Sequence, residues 1–188
     1  WRLGPELFAE KLQLVLNAGV SARQVLADAE AEFLRVQDEL YVISRQLWSQ
    51  YFPQTVLPPD DPAGRRETVT KVIAAVSQEH GAPETLVADA RSSVGQIQDF
   101  IRQRDLLRLP DPDRCQIIEM PEFRRGNSLA YLDPALPLDP GGISSYAVSP
   151  PPADWGSERV RSFLEEYNQH MLQILTIHEA YPGHYVQL

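Results

Sequence analysis

Apolar residues recur at helical spacing through the first hundred residues of the chain. Pro5 begins a first predicted helix, and Asn17 and Gly19 end it. Ser21 and Gln24 form a capping box that starts a long second helix. Further apolar stripes predict two more helices between residues 69 and 109. The N-terminal half is therefore expected to be helical.

The second predicted helix carries a broad apolar face. Its apolar positions alternate in steps of three and four: Leu26, Ala29, Phe33, Val36, Leu40, Ile43 and Leu47, widened by Leu34, Tyr41 and Trp48. A face of this width favours packing inside a helical bundle over the narrow seam of a coiled coil. The alternative is that the face binds a partner.

Composition changes after residue 109, where proline and glycine become frequent. The runs CQIIEM, SLAYL and GISSYAV read as two or three short strands, separated by turn segments such as DPALPLDPGG and SPPP. We therefore divide the chain into a helical region, residues 1–109, and a proline-rich β segment with a final helix, residues 110–188. The predicted fold class is mainly α, a helical bundle with a small β-hairpin or sheet next to the last helix.

The last predicted helix begins near Ser157 and leads into the stretch TIHEAYPGHYVQL. Its apolar stripe continues at helical spacing to His178, which places that imidazole on the buried face. In a straight helix His178 and His184 would lie about 240° apart. Pro182 and Gly183 should break the helix between them, because proline lacks an N–H and clashes with the preceding turn. The break can bring the two imidazoles together.

Bulk properties exclude several function classes. The chain has 188 residues with 17 basic and 26 acidic side chains, a net charge of −9 that disfavours nucleic acids and anionic membranes as partners. Cys115 is the single cysteine, so a multi-cysteine zinc site is excluded. No apolar run is long enough to span a bilayer. The compartment and the oligomeric state do not follow from the sequence.

Two histidines and an adjacent glutamate suggest metal-assisted hydrolysis. Glu179, next to the first ligand, would act as the base toward a zinc-activated water. A non-haem iron enzyme would also fit, because it too uses two histidines and a carboxylate. Two non-catalytic interpretations stay open as well: His178 as an ordinary core histidine at a helix end, and the chain as an interaction module with a vestigial metal motif.

The stretch HEAYPGHYVQ, preceded by FLEEYNQHMLQILTI, resembles the signature of the bacterial domain-of-unknown-function 885 family. That family is distantly similar to single-zinc metallopeptidases such as the Taq-type carboxypeptidases. The resemblance implies a mostly helical, zincin-like hydrolase of the carboxypeptidase or dipeptidase type, with a peptide as substrate. In it His178 and His184 bind zinc, and Glu179 is the catalytic base.

The resemblance also implies a third zinc ligand, taken from a helix downstream of the motif, and the chain ends before such a helix. We therefore expect the chain to be a piece of a longer protein, inactive alone, with weak or absent zinc binding. Peptidases of this type hold an extended substrate along a sheet edge, for which GISSYAV is the best candidate; the alternative is a hairpin that merely covers the helix. Tyr146, Tyr181 and Tyr185 are candidates for hydrogen bonds to substrate.

Overall fold

The computed structural model describes residues 2–17, 19–125 and 128–188, which form two compact units, Trp1–Ala74 and Ala75–Leu188. Helices dominate both units, and the described strands form one small sheet in the second. The predicted fold class, mainly α with a small sheet, is confirmed. Within the described residues, no helix combines the length and the apolar character needed to cross a bilayer.

The first unit contains helices α1 (Gly4–Leu16) and α2 (Ala22–Tyr51) and most of α3 (Pro62–Val76). Asn17 ends α1 in the left-handed conformation, at φ 48°. Ser21 caps α2 by accepting a hydrogen bond from the Gln24 N–H at 3.1 Å. The Gln24 side chain donates to Asp28 instead of returning to Ser21, so only half of the predicted capping box forms.

The broad face of α2 is buried only toward its C-terminal end. Tyr41 and Trp48 are each 4% exposed, and the Trp48 indole donates to the Thr55 carbonyl at 2.8 Å. Phe33 and Leu34, by contrast, are more than 60% exposed. The prediction that the whole face packs inside a bundle is wrong for this part of α2. The physical reason is that α1 contributes no buried residue that could cover it.

The second unit begins with the last residues of α3 and contains α4 (Leu86–Arg104) and three strands, β1 (Cys115–Glu119), β2 (Ala130–Asp133) and β3 (Ser144–Val148). A short 3-10 turn, Glu122–Arg124, follows β1. Three helices complete the unit: α5 (Ser157–Glu166), α6 (Gln169–Glu179) and the single turn α7 (His184–Gln187).

The sheet has the strand order β1-β3-β2. The central strand β3 pairs in parallel with β1, Cys115 facing Ser144, and antiparallel with β2, Ala130 facing Val148. The core forms where α4 and α6 pack against this sheet; its buried members include Ala90, Val94, Ile97, Ile101, Tyr146, Val148 and Leu172. Because α4 packs on β1 and on α6, the division predicted between residues 109 and 110 falls inside this second unit.

The predicted single helix from Ser157 to His178 is two helices. α5 ends at Glu166, and the Asn168 side chain caps α6 by accepting from the N–H groups of His170 and Met171. The restart at Asn168 changes the face that α6 buries, so Leu172, Thr176 and Glu179 point inward. His178 is exposed, and its predicted place on the buried face is wrong.

Candidate metal centre

The break predicted at Pro182 and Gly183 is confirmed. α6 ends at Glu179, and the next helical turn starts at His184. At the end of α6 the N–H groups of Ala180 and Tyr181 both bond the Thr176 carbonyl, at 2.9 and 3.2 Å. The chain then leaves the helix axis, so the six-residue spacing no longer separates the histidines.

Gly183 lies directly against the end of α6. A Cβ atom at this position would stand 1.8 Å from the His178 carbonyl oxygen and 2.4 Å from that of Ile177. Both neighbours are backbone atoms, which cannot rotate away as a side chain can. Only glycine permits this approach, and the approach folds the segment carrying His184 back toward His178.

His178, Glu179 and His184 form a compact cluster. Each offers one ligand atom, and these atoms all lie within 4.8 Å of one another. The two imidazole rings are 4.5 Å apart between centroids, and His184 Nδ1 lies 3.3 Å from Glu179 Oε2. Across residues 2–17, 19–125 and 128–188 no other group of three histidine, cysteine or acidic side chains is so arranged.

The members of the cluster differ in exposure. Both histidines face solvent, whereas Glu179 is only 9% exposed. One Glu179 oxygen, Oε2, accepts a hydrogen bond from the Leu132 N–H of β2 at 3.1 Å. The sequence did not reveal this contact, because it joins residues 47 positions apart and uses only the backbone of Leu132. It fixes the carboxylate against the sheet.

The strand beside the cluster is β2, not the predicted GISSYAV strand. β3, which contains that run, pairs with β1 on one side and β2 on the other, so its backbone has no free edge for another strand. The substrate-strand assignment to β3 is therefore wrong. β2 lies at the sheet edge, and its Leu132 N–H points outward to Glu179. By the two-residue period of a strand, Ala130 has the same backbone orientation, but it is buried, at 6% exposure.

The three candidate tyrosines have hydroxyl partners outside the cluster. The Tyr146 hydroxyl is buried beside Thr176 Oγ1 at 3.2 Å, and burial raises the pKa of Tyr146 to about 12. The Tyr181 hydroxyl donates to Asp113 at 2.5 Å, and the Tyr185 hydroxyl accepts from the Arg114 N–H at 2.7 Å. A role in substrate binding stays a prediction for all three.

The donor set suits a divalent transition metal. Imidazole nitrogen and carboxylate oxygen are ligands of zinc and also of non-haem iron. The exposed histidines can be reached from solvent, while the partly enclosed carboxylate is held by the sheet. The arrangement thus offers two candidate metal ligands, His178 and His184, with one carboxylate adjacent to them, at the end of a helix and beside the edge strand β2.

The second unit thus combines a three-stranded sheet with a His-Glu-His cluster at a broken helix. The chain belongs to the family described as "Bacterial protein of unknown function (DUF885)", whose model matches residues 1–188. No curated protein matches the chain.

A solved structure is also similar. It is described as "a putative lipoprotein of unknown function from Shewanella oneidensis", with 31% sequence identity and a TM-score of 0.79. The match covers 98% of this chain and 32% of the other. The chain therefore spans about a third of the length of that protein.

Proposed function

We propose that this chain carries the catalytic motif of a zinc-dependent peptidase of the carboxypeptidase or dipeptidase type. The observation that carries the proposal is the position of the Glu179 carboxylate. One of its oxygens lies 3.3 Å from His184 Nδ1 and 3.1 Å from the backbone N–H of Leu132. A base is thus held between a candidate metal ligand and the edge strand that could receive a peptide.

His178 and His184 would hold the zinc ion. They fit this role because Gly183 packs against the end of α6 and their ligand atoms lie within 4.8 Å of each other and of Glu179. Zinc supplies Lewis acidity, which lowers the pKa of a water molecule to about 7 and polarises a carbonyl group. By resemblance to the single-zinc peptidases, a third protein ligand comes from outside the described residues.

Glu179 would act as the general base and then as the general acid. Its carboxylate takes a proton from the attacking water and returns it to the amine of the leaving group. The Leu132 N–H holds one carboxylate oxygen throughout, so the base keeps its orientation. Burial of Glu179 removes competing water from the carboxylate, which strengthens its interactions with charge at the site.

The outer edge of β2 would bind the substrate. An extended peptide can add to this edge as a further strand, at the more exposed end of β2 near Asp133. The scissile bond would then pass beside Glu179, because Leu132, the residue before Asp133, already contacts that side chain. The preference for removing terminal residues, over cleavage inside a chain, rests on the family resemblance.

Two substitutions in the full-length protein test the proposal. Glu179→Gln should keep zinc, since both imidazoles remain, but lower peptide turnover about 10²- to 10⁴-fold. His178→Ala should lose zinc and activity together. Glu158→Gln, an exposed change in the first turn of α5, is the control and should leave both unchanged. Bound zinc is measured by elemental analysis and turnover on a series of short peptides.

Near-normal turnover by Glu179→Gln would show that Glu179 is not the base. If neither Glu179→Gln nor His178→Ala affects any function beyond stability, the chain is instead a non-catalytic helical interaction module. The exposed apolar residues of α2, Phe33 and Leu34 among them, favour that alternative.

A non-haem iron enzyme is the second candidate. It is favoured by the same compact cluster, because two histidines and one carboxylate with mutual distances under 4.8 Å could all bind one metal directly. Under this alternative Glu179 is a ligand, so Glu179→Gln would weaken metal binding as His178→Ala does. Purified protein would contain iron in place of zinc.

A further inference from the structure

We propose that Asp113 is a positioning residue for the candidate metal centre: by holding Tyr181, it places His184 opposite His178. The inference rests on the proposed function in one respect, because zinc binding is the property that tests it. Asp113 lies 65 residues before His178 and belongs to no recognisable sequence motif.

Asp113 joins three parts of the second unit. Its Oδ1 accepts hydrogen bonds from the Tyr181 hydroxyl at 2.5 Å and from the Cys115 N–H at the start of β1 at 3.0 Å. Its Oδ2 accepts from the Gln98 side chain of α4 at 2.8 Å. The carboxylate therefore ties the segment between the two histidines to the sheet and to α4, the longest helix of the second unit.

A second contact anchors the other side of His184. The Arg114 N–H donates to the Tyr185 hydroxyl at 2.7 Å. The Tyr181 and Tyr185 rings pack edge to face, with centroids 5.2 Å apart. Tyr181 and Tyr185 bracket His184 in the sequence, and residues 113 and 114 hold both of them.

His184 depends on these anchors because its own helical turn and its own side chain give it little support. α7 is a single turn of four residues, and an isolated helical turn is unstable without tertiary contacts. The His184 side chain is itself 47% exposed, so its own packing contributes little. Gly183 fixes how closely the segment approaches α6, while the tyrosine anchors fix the direction in which His184 points.

The charge of Asp113 strengthens the anchor. Burial opposes ionisation, but the hydrogen bonds from Tyr181, the Cys115 N–H and Gln98 outweigh it and hold the pKa of Asp113 below its usual value. The carboxylate therefore stays ionised at neutral pH. Hydrogen bonds to an ionised group are roughly twice as strong as neutral ones. An amide at this position would lose that charge, and its NH₂ group could face the Gln98 donor.

The test measures zinc affinity in the full-length protein, by competition with a chromophoric chelator. Asp113→Asn and Tyr181→Phe should each weaken zinc binding about 10- to 100-fold, the range typical of residues that orient metal ligands. The double variant should bind zinc no more weakly than the single variant with the lower zinc affinity, because both changes break the same hydrogen bond between Asp113 and Tyr181. Asp154→Asn is the control: Asp154 is exposed and has no hydrogen bond or ion pair among the described residues.

Thermal unfolding with and without zinc separates positioning from simple stability. If Asp113 positions His184, zinc should raise Tm less in both single variants than in the parent protein. Zinc affinities within about twofold of the parent, with Tm lowered equally with and without metal, would overturn the inference and leave the proposed function intact. A parent protein that binds no zinc would overturn both. If Asp113→Asn does not fold, Tyr181→Phe decides the question, because it removes only a hydroxyl.

Discussion

Replacing Gly183 with alanine should disrupt the candidate metal centre. The added Cβ would lie 1.8 Å from the His178 oxygen, 2.3 Å from the His178 carbonyl carbon and 2.4 Å from the Ile177 oxygen. Contacts under 3.0 Å essentially never occur for real Cβ atoms. The backbone at residue 183 and the end of α6 must therefore move apart by about 1.2 Å. The φ of Gly183 is −70°, so the cost comes from lack of space and not from a left-handed backbone.

The size of the effect follows from this overlap. Overpacking costs about 1–3 kcal/mol, and the upper end is expected because all three obstructing atoms belong to the backbone of α6. For a chain of this length about 3 kcal/mol lowers Tm by about 6–12 °C. The same displacement moves His184 away from His178, so zinc affinity should fall at least about tenfold, as for other displaced metal ligands.

Gly95→Ala is the matched control. Gly95 lies inside α4, and a Cβ there would meet nothing within 4 Å. Alanine is favoured over glycine inside a helix by about 0.5–1 kcal/mol, so this variant should melt at the parent temperature or slightly above it. Differential scanning fluorimetry and zinc titration of both variants provide the comparison. If Gly183→Ala melts and binds zinc like Gly95→Ala, the close approach of Gly183 to α6 does not hold the site.

Two further predictions concern the support of α6. Burial raises the pKa of Tyr146 from 10.0 to about 12, so the stability it contributes is complete below pH 10 and is lost as pH rises through about 12. As pH rises from about 10 to 12, the Tyr146→Phe variant should therefore lose less stability than the parent. At pH 7 the variant should be less stable by about 1 kcal/mol, because the Thr176 contact is lost. Plots of Tm against pH that run parallel for the two proteins from about pH 8 to 12 would contradict this. Asn168→Ala should cost about 1–2 kcal/mol in denaturant unfolding, because the cap of α6 is lost. Asn168→Asp retains the acceptor oxygens and should keep most of that stability; equal losses in the two variants would argue against the cap.

The approach of the two histidines could be predicted because its cause is local. Pro182 and Gly183 act on the neighbouring turn through a missing N–H and a missing side chain, and both effects can be read from the sequence. The contact between Asp113 and Tyr181 could not be predicted. It spans 68 residues, and one aspartate among 26 acidic residues carries no signal of its partner.

The face that α6 buries was predicted wrongly for a reason that the sequence does contain. Extending one apolar stripe from Ser157 ignored Asn168, a residue well suited to start a helix. The restart there reset the helical phase and turned His178 outward. An asparagine within an apparent helix is therefore evidence for the start of a new helix, even where the apolar stripe continues past it.

The position of β3 in the sheet depended on packing that periodicity does not encode. The run SSYAV is buried at four of its five positions, whereas β2 grows more exposed from Ala130 to Asp133. Burial on both faces is typical of a central strand. The strand order also decides which strands lie at the sheet edges with backbone groups unpaired within the sheet. That order follows from the way all three strands pair with one another. The strand lengths alone gave no indication of it.

The direction of α6 affects which ions the site attracts. The helix ends at Glu179, with His178 in its last turn, and the free carbonyl groups at a helix C-terminus together carry about half a negative charge. A doubly charged cation beside His178 is therefore attracted by the helix itself, in addition to its ligands. Anions experience the opposite effect, so sulfate or phosphate should bind at this end of α6 only after a cation has reversed the local potential.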